Sequence, residues 1–332
     1  MSELRYNLIT RDWVIIASER AKRPEDFKKS RPPRPDLPKR RDDCPFCPGN
    51  EKTGGEETYR LGSDSAWRVR SIYNKFPALS HLASCDRFTE GPEKHMTGFG
   101  IHEVLIEHPD HNTCMALMDP SAVEDIFRAY RDRYIYIRRN DEIKSIIIFK
   151  NHGPAAGSSQ EHPHSQIVAT PVVPHIMRSR IEGMAEHYDV TGKCMMCGML
   201  EHELKDKKRI VLETEHFVSH VPYAAAAPFV TSIVPRRHSS SFDEISDAEL
   251  KDLAGSVRQT LSKLYYGLDN PDFNYTIRSV PVREKWNEAA HWFISVMPRL
   301  TQPAGFELGS GMFINVAIPE ESAAFLRQVI CK

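Results

Sequence analysis

Two stretches of the chain carry apolar residues at helical spacing. After Asp119-Pro120-Ser121, the residues Val123, Ile126, Phe127, Tyr130, Tyr134 and Ile137 fall on one face, which predicts an amphipathic helix. Ser246-Asp247-Ala248-Glu249 has the form of a capping box, and Leu250, Leu253, Val257, Leu261 and Leu264 then repeat the pattern. Each helix leads to a strand-like run, Ile146–Phe149 in the first case and Phe273–Ile277 in the second. A further strand closes each unit, Gln166–Ala169 and Trp292–Val296. Recurrence at roughly 130–150 residues marks a duplicated domain, because solenoid repeats are far shorter. Strand-rich halves with one principal helix each predict an α+β fold, with an antiparallel sheet in residues 1–172 and another in 173–332.

The 332 residues are 40% apolar and 27% charged, enough for a sizeable core and a wetted surface. No apolar run approaches the ~18 residues of a membrane span, and Met1-Ser2-Glu3-Leu4-Arg5 lacks the apolar segment of a secretory signal. A cytoplasmic protein without a membrane partner is expected. The 44 Lys+Arg balance 45 Asp+Glu to a net charge of −1, which opposes wholesale binding to nucleic acid. Charge is nevertheless uneven: residues 20–41 hold ten Lys/Arg against three acids, with five prolines that favour extended, non-helical backbone. Such a stretch is either a solvated loop or a source of one or two cations for an anionic ligand such as a phosphate.

Seven cysteines, an odd number, argue against a disulfide framework. Four of them form the pairs Cys44/Cys47 (Cys-Pro-Phe-Cys) and Cys194/Cys197 (Cys-Met-Met-Cys), a spacing at which two thiolates can clasp one zinc ion. A redox dithiol would need a thioredoxin-like strand–helix setting, and Pro/Arg-rich sequence precedes the first pair. Cys85, Cys114 and Cys331 stand alone and read as small structural residues. Histidines follow each pair in the same order: His111 and then His162, 51 residues on, and His238 and then His291, 53 residues on. When the halves are aligned on Pro171 and Pro298, His291 falls opposite His164 instead of His162, and the first half has a histidine to spare.

That spare histidine lies in the densest chemistry of the chain, residues 151–166: Asn-His-Gly-Pro-Ala-Ala-Gly-Ser-Ser-Gln-Glu-His-Pro-His-Ser-Gln. Gly153, Ala155, Ala156, Gly157, Ser158 and Ser159 allow backbone amides close to a bulky anion, and Ser158, Ser159, Ser165 and Gln166 add donors. Neither a P-loop nor a dinucleotide fingerprint occurs. His162 and His164, two residues apart, would share one face of a strand, with Pro163 stiffening the segment. These residues suit a histidine nucleophile at a phosphate site. A non-enzymatic zinc ribbon would leave His162-Pro163-His164 unexplained, and a zinc deaminase would need a His-x-Glu ahead of its Cys pair.

The 151–166 segment resembles the active-site segment of galactose-1-phosphate uridylyltransferases, a nucleotidyltransferase branch of the histidine triad superfamily. The resemblance covers nearly the whole chain, including Arg20-Ala21-Lys22-Arg23-Pro24, Cys44-Pro45-Phe46-Cys47, Asn74-Lys75-Phe76-Pro77-Ala78-Leu79, Pro109-Asp110-His111 and Gly305-Phe306-Glu307-Leu308-Gly309-Ser310-Gly311. It implies two histidine-triad-like halves, a homodimer, and ping-pong transfer of a nucleotidyl group from a nucleotide sugar to a sugar 1-phosphate, in the first instance UDP-glucose and galactose 1-phosphate. By motif position His164 would be the nucleophile, Gln166 would bind the transferring phosphoryl oxygens, and Ser159 would meet the sugar-side phosphate. Asn74, Asn151, Gly157 and Ser158 would line the nucleotide and diphosphate site, with Arg20 or Arg23 nearby. Cys44, Cys47, His111 and His162 would hold a structural zinc. Cys194, Cys197, His238 and His291 suggest a second zinc, a pattern similar to the branch that includes ADP-glucose phosphorylase. Gly305–Gly311 lacks the Tyr and Glu with which well-known members recognise the hexose 1-phosphate, so adenylyl transfer to phosphate is the alternative.

Overall fold

The computed structural model describes residues 1–20, 22–28, 36–284 and 286–331. Lys29, Arg31, Arg34, Pro32, Pro33 and Pro35 of the basic stretch lie outside the described residues. The chain runs through β1 (Glu3–Asn7), β2 (Asp12–Ile16), α1 (Pro24–Lys28), β3 (Glu57–Gly62), β4 (Trp67–Tyr73), the hairpin β5 (Arg87–Glu90) and β6 (Glu93–Met96), and β7 (Ile101–Ile106). There follow α2 (Pro120–Ile137), β8 (Ser145–His152), β9 (His164–Thr170), α3 (His175–Thr191) and α4 (Met195–Asp206). The remainder comprises β10 (Ile210–Glu213), β11 (Phe217–His220), β12 (Thr231–Pro235), α5 (Asp247–Leu268), β13 (Phe273–Arg278), β14 (Phe293–Pro298), α6 (Gly305–Ser310), β15 (Phe313–Asn315) and α7 (Pro319–Gln328). No helix among the described residues is long and apolar enough to cross a membrane.

Ten strands form one antiparallel sheet in the order β10-β11-β12-β14-β13-β8-β9-β7-β4-β3. The order reads alike from both edges, since β3-β4-β7-α2-β8-β9 corresponds element by element to β10-β11-β12-α5-β13-β14. The antiparallel sheets expected of the two halves are therefore not separate. β8 pairs with β13 from His152↔Phe273 to Ile148↔Ile277, so two edges that would expose unpaired backbone groups close on each other. A small sheet, β1-β2-β15, ties the two ends of the described chain together, with β15 parallel to β2.

α2 and α5 cover one face of the large sheet. Val123, Ile126, Phe127, Tyr130, Tyr134 and Ile137 are buried with Leu250, Leu253, Val257, Leu261 and Leu264, over Leu105, Ile148, Ile167, Ile277 and Ile294 of the strands. Alternation along the strands turns His164, Gln166, Asn151, Asn274, Arg278 and Phe293 to the opposite face. There the second half is roofed by α3 and α4, whose Met177, Ile181, Met184, Met196 and Leu200 pack with Val218, Val234 and Phe293. The first half has a smaller cover, Cys44, Phe46 and Cys47 over Trp67, Val104 and Ile106. Phe149, Gln166 and Val168 are left half-buried.

The expectation of non-helical backbone through the basic stretch is corrected at its start. Pro24 is the first residue of α1, where its missing N–H has no helical partner to lose and where Glu25 and Asp26 suit the first turn. Phe27 anchors that turn edge-on to Phe229, with ring centres 5.9 Å apart.

Candidate active site

The four cysteines and four histidines converge as two separate quartets, Cys44/Cys47/His111/His162 and Cys194/Cys197/His238/His291, each with its ligand atoms within 4.8 Å of one another. In the first, Cys47 Sγ is 3.5 Å from both His111 Nδ1 and His162 Nδ1, and Cys44 Sγ is 3.8 Å from His162 Nδ1. In the second, Cys197 Sγ is 3.4 Å from His238 Nδ1 and 3.5 Å from His291 Nδ1. Tetrahedral S and N ligands at roughly 2.0–2.3 Å from zinc stand about 3.3–3.8 Å apart, so the spacing fits. The imidazoles are oriented for it as well. Nε2–H donates to a backbone carbonyl in His162 (His108, 2.8 Å), His238 (Asn287, 2.7 Å) and His291 (Pro235, 3.1 Å), which leaves each Nδ1 lone pair aimed at the thiols. Burial pushes His162 down to about 3 and the Cys44 thiol up to about 11, so the imidazole is ready to ligate and the thiol needs a cation to release its proton.

The quartets correct the alignment made on the prolines. His291 occupies the place of His162, and Phe293, two residues later at the start of β14, occupies the place of His164 at the start of β9. Pro171 follows His162 by nine positions, but Pro298 follows His291 by seven, because β9 runs further before its proline.

His164 is buried at 7% exposure, with Phe46 against its ring (5.5 Å) and against that of His162 (6.0 Å). The two histidines thus share a side, as their spacing suggested. His164 Nδ1 lies 2.8 Å from the carbonyl oxygen of His162, an acceptor, so Nδ1 carries the proton and Nε2 keeps a lone pair. Burial lowers the His164 pKa against the pull of that carbonyl, and the charge of Lys150 lowers it further, so the ring is neutral near pH 7. Lys150 holds the strand from the helix-covered face, donating to the His164 carbonyl (3.0 Å) and to Glu107 Oε2 (2.5 Å), with both side chains fully buried.

Gln166, one alternation further along β9, is held by a residue that was not anticipated, His102, which also lies against Asn74. The Ala78 N–H donates to His102 Nδ1 (3.0 Å), so His102 Nε2–H donates to Gln166 Oε1 (2.8 Å), and Asn74 Nδ2 lies 3.1 Å from the same Nε2. With Oε1 engaged, the Gln166 amide NH2 is the group left to face a ligand. The small-residue loop is braced from the second half. Asn274 Nδ2 donates to Asn151 Oδ1 (2.7 Å) and to the Ala156 carbonyl (2.9 Å), and the Ala155 N–H donates to Asp272 Oδ2 (2.6 Å). Gly157 sits at φ +84°, a backbone conformation other residues rarely hold, beside the Asn151 amide. Ser158 Oγ is turned to the Gln160 carbonyl (2.8 Å), whereas Ser159 is exposed. Arg20 and Arg23 are exposed on the segment tied to the second half through Phe27 and through the Lys22 N–H to the Val316 carbonyl; among the described residues no bond links them to His164. A cavity of about 570 Å³ lies elsewhere, between β3 and α2, and shares no residue with this site.

A neutral buried imidazole, an amide donor and a glycine loop on one sheet, with a Cys2His2 quartet behind them, have close relatives. The chain belongs to the galactose-1-phosphate uridyl transferase family, whose N-terminal domain matches residues 1–174 and whose C-terminal domain matches residues 180–300, and it is an enzyme of that nucleotidyltransferase family. It is 40% identical to ADP-glucose phosphorylase of Arabidopsis thaliana over 332 residues, covering 98% of this chain and 93% of the relative. It is 31% identical to galactose-1-phosphate uridylyltransferase of Thermotoga maritima over 338 residues, covering 99% and 98%. The crystal structure of the Arabidopsis thaliana ADP-glucose phosphorylase with bound ADP-glucose matches at a TM-score of 0.84 and 35% identity, over 99% of this chain and 100% of that one.

Proposed function

We propose that this enzyme transfers a nucleotidyl group from a nucleoside diphosphate hexose to a phosphate-bearing acceptor through a covalent intermediate on His164. The observation that carries the reading is the His164 tautomer: its Nδ1–H is committed to the His162 carbonyl, and Nε2 is the free nucleophile. The Nε2 lone pair attacks the α-phosphorus, the bond from that phosphorus to the bridging oxygen breaks, and the sugar 1-phosphate leaves with the electron pair. The imidazole becomes a nucleotidyl-imidazolium, whose charge the His162 carbonyl accommodates. An oxygen of the acceptor then attacks the same phosphorus, and Nε2 departs as a neutral ring. The Gln166 NH2 faces the phosphoryl oxygens as charge builds on them. Ser159 serves the sugar-side phosphate, and Asn74, Asn151, Gly157 and Ser158 line the nucleotide and diphosphate site, with Arg20 or Arg23 as the nearby cation. The two quartets are read as structural zinc sites that hold the loops over the sheet and take no part in the chemistry. Residues 1–172 and 173–332 are read as two copies of a histidine-triad-like unit, and the enzyme as a cytoplasmic homodimer.

For the donor, the 40% identity to an ADP-glucose phosphorylase and the complete Cys2His2 second quartet support ADP-glucose, with inorganic phosphate as acceptor. The 31% identity to a galactose-1-phosphate uridylyltransferase supports UDP-glucose, with galactose 1-phosphate as acceptor. Incubation with donor labelled in the α-phosphate, without acceptor, should leave one acid-labile, alkali-stable nucleotidyl group per chain. ADP-glucose should label faster than UDP-glucose, and phosphate should then release ADP. Preferential labelling by UDP-glucose, discharged by galactose 1-phosphate, would reverse the choice of donor, and label on any residue other than His164 would end the mechanism.

A further inference from the structure

The second half has an arginine pair where the first half has its histidine. At the place of His164 stands Phe293, and the guanidinium carbons of Arg180 (α3) and Arg278 (β13) each lie 6.0 Å from the centre of its ring. Arg278 is Phe293's direct partner across the β13–β14 ladder. Both arginines are half-buried, and neither has a carboxylate or hydrogen-bond acceptor among the described residues. That is unusual within this molecule, where other arginines drawn into the interior are neutralised: Arg70 by Glu57, Arg133 by Glu103 and Arg209 by Glu203. Burial and the neighbouring Arg278 push Arg180 down to about 9, and burial lowers Arg278 as well, so the charged pair is held at a cost with no anion beside it.

We propose that Arg180 and Arg278, with Phe293 as their floor, form a second anion site that binds a phosphate group away from the nucleophile. Two planar guanidinium forks beside one apolar ring, each 6.0 Å from its centre, suit the several oxygens of a phosphate or phosphomonoester, whereas a single lysine would offer a point charge. With Phe293 in place of histidine the site can hold a phosphoryl group but cannot take it covalently, so it is a binding site and not a second reaction centre. The inference does not depend on the chemistry at His164, although it borrows the correspondence between the halves.

The test is titration of the full-length protein with inorganic phosphate by calorimetry, with thermal melts to confirm folding. The wild-type chain should bind phosphate at a site that survives Gln166→Ala. Arg278→Leu and Arg180→Leu should each weaken that binding about tenfold or more, the scale of one lost charge-assisted contact. Arg278→Lys, which keeps the charge and fold but removes the fork, should fall between them and wild type. Phenylglyoxal should modify Arg180 and Arg278, and phosphate should protect them. Equal phosphate affinity in wild type and all three variants, or modification that phosphate does not slow, would overturn the proposal. Glucose 1-phosphate, run in parallel, would show by its tighter or weaker binding whether free phosphate or a phosphomonoester is the better occupant. None of these readouts uses turnover, so loss of the His164 reading would leave this outcome interpretable.

Discussion

The two halves of the sheet are built alike and finished differently. Each has a Cys-x-x-Cys pair, two histidines with Nδ1 turned to the thiols, and one long helix on the far face. The first half then places His164 and Gln166 on a strand face that is only partly covered, and braces a glycine loop beside them. The second half places Phe293 and Ser295 at the matching positions and packs α3 and α4 against Phe293. Scaffold and chemistry are thus separable. The quartet and the sheet set where the strand begins, and in the proposed mechanism two side chains and the openness of the face decide whether anything can react there.

The largest effect should come from removing that difference. His164→Asn retains approximate size and an amide but cannot accept a phosphoryl group, so the covalent label should vanish and turnover should fall by about 10⁴-fold or more. The reciprocal change, Phe293→His, should gain no label, because Ser295 replaces Gln166 and the roof of α3 and α4 excludes a nucleotide. Mass spectrometry of donor-treated protein checks both. A second labelled position in the Phe293→His variant, with His164 intact, would mean that the scaffold alone suffices.

The next effect concerns what the halves share. Cys44→Ser and Cys194→Ser should each remove one zinc of two by elemental analysis and lower stability by several kcal/mol, since a structural site of this kind contributes directly to folding. Activity should separate them: Cys44→Ser disturbs Phe46 and the start of β9 and should be nearly inactive, whereas Cys194→Ser loosens α4 and the start of β14, away from His164, and should keep measurable turnover at low temperature. Equal loss of activity in both would break the comparison.

His102→Ala should sharpen it further. The Ala78–His102–Gln166 chain fixes which way the Gln166 amide points, and no counterpart is needed beside Ser295. Its loss should lower kcat by about 10–100-fold and leave donor binding within a few-fold, since the amide then has to be ordered during reaction. His102→Asn, which can still donate to Oε1, should restore part of the rate. A change confined to KM would give His102 a different task.

Much of this was legible in the sequence because it follows local periods. The faces of α2 and α5, the core strands, the Cys pairs and the loop before His162 all depend on spacings of a few residues, and the helix capping at Ser246–Glu249 forms as written. α3 and α4 were not legible. Ile176 and Val190 of α3 point to solvent, and Gly183 stands within the helix where the Arg11 side chain needs the room, 2.9 Å from where a Cβ would stand. Their apolar face is mostly methionine, which periodicity weighs weakly. His102 carries no local signal either, since its partners Ala78 and Gln166 lie 24 and 64 residues away. The ligand order already set His291 beside His162; that Phe293, and not His291, stands at the place of His164 required the third dimension, because the proline that ends each strand sits at a different distance from its histidine.

The smallest expected effect lies in how the two long helices begin. Ser246 accepts from the Glu249 N–H while the Glu249 carboxylate accepts from the Ser246 N–H and from Arg237. Asp119 at the start of α2 makes no such side-chain bond, and Pro120 stands at the first helical position instead. Principally through Arg237, Glu249 is held down at about 2 from an ordinary 4.5. A depressed carboxylate contributes stability that is fully present above its unfolded value and is lost as pH falls from about 4.5 toward 2. The full drop would be worth roughly 3 kcal/mol, and the half-exposed Arg237 brings the expected figure to ~1–2 kcal/mol. Glu249→Gln should therefore lose about that much stability at pH 7 and flatten the acid limb between pH 4.5 and 2. Asp119→Asn should stay within ~0.5 kcal/mol, because no cap bond is there to lose. Denaturant melts at pH 7, 4 and 3 measure both, and an equal effect of the two substitutions would show that the helices start on the same terms after all.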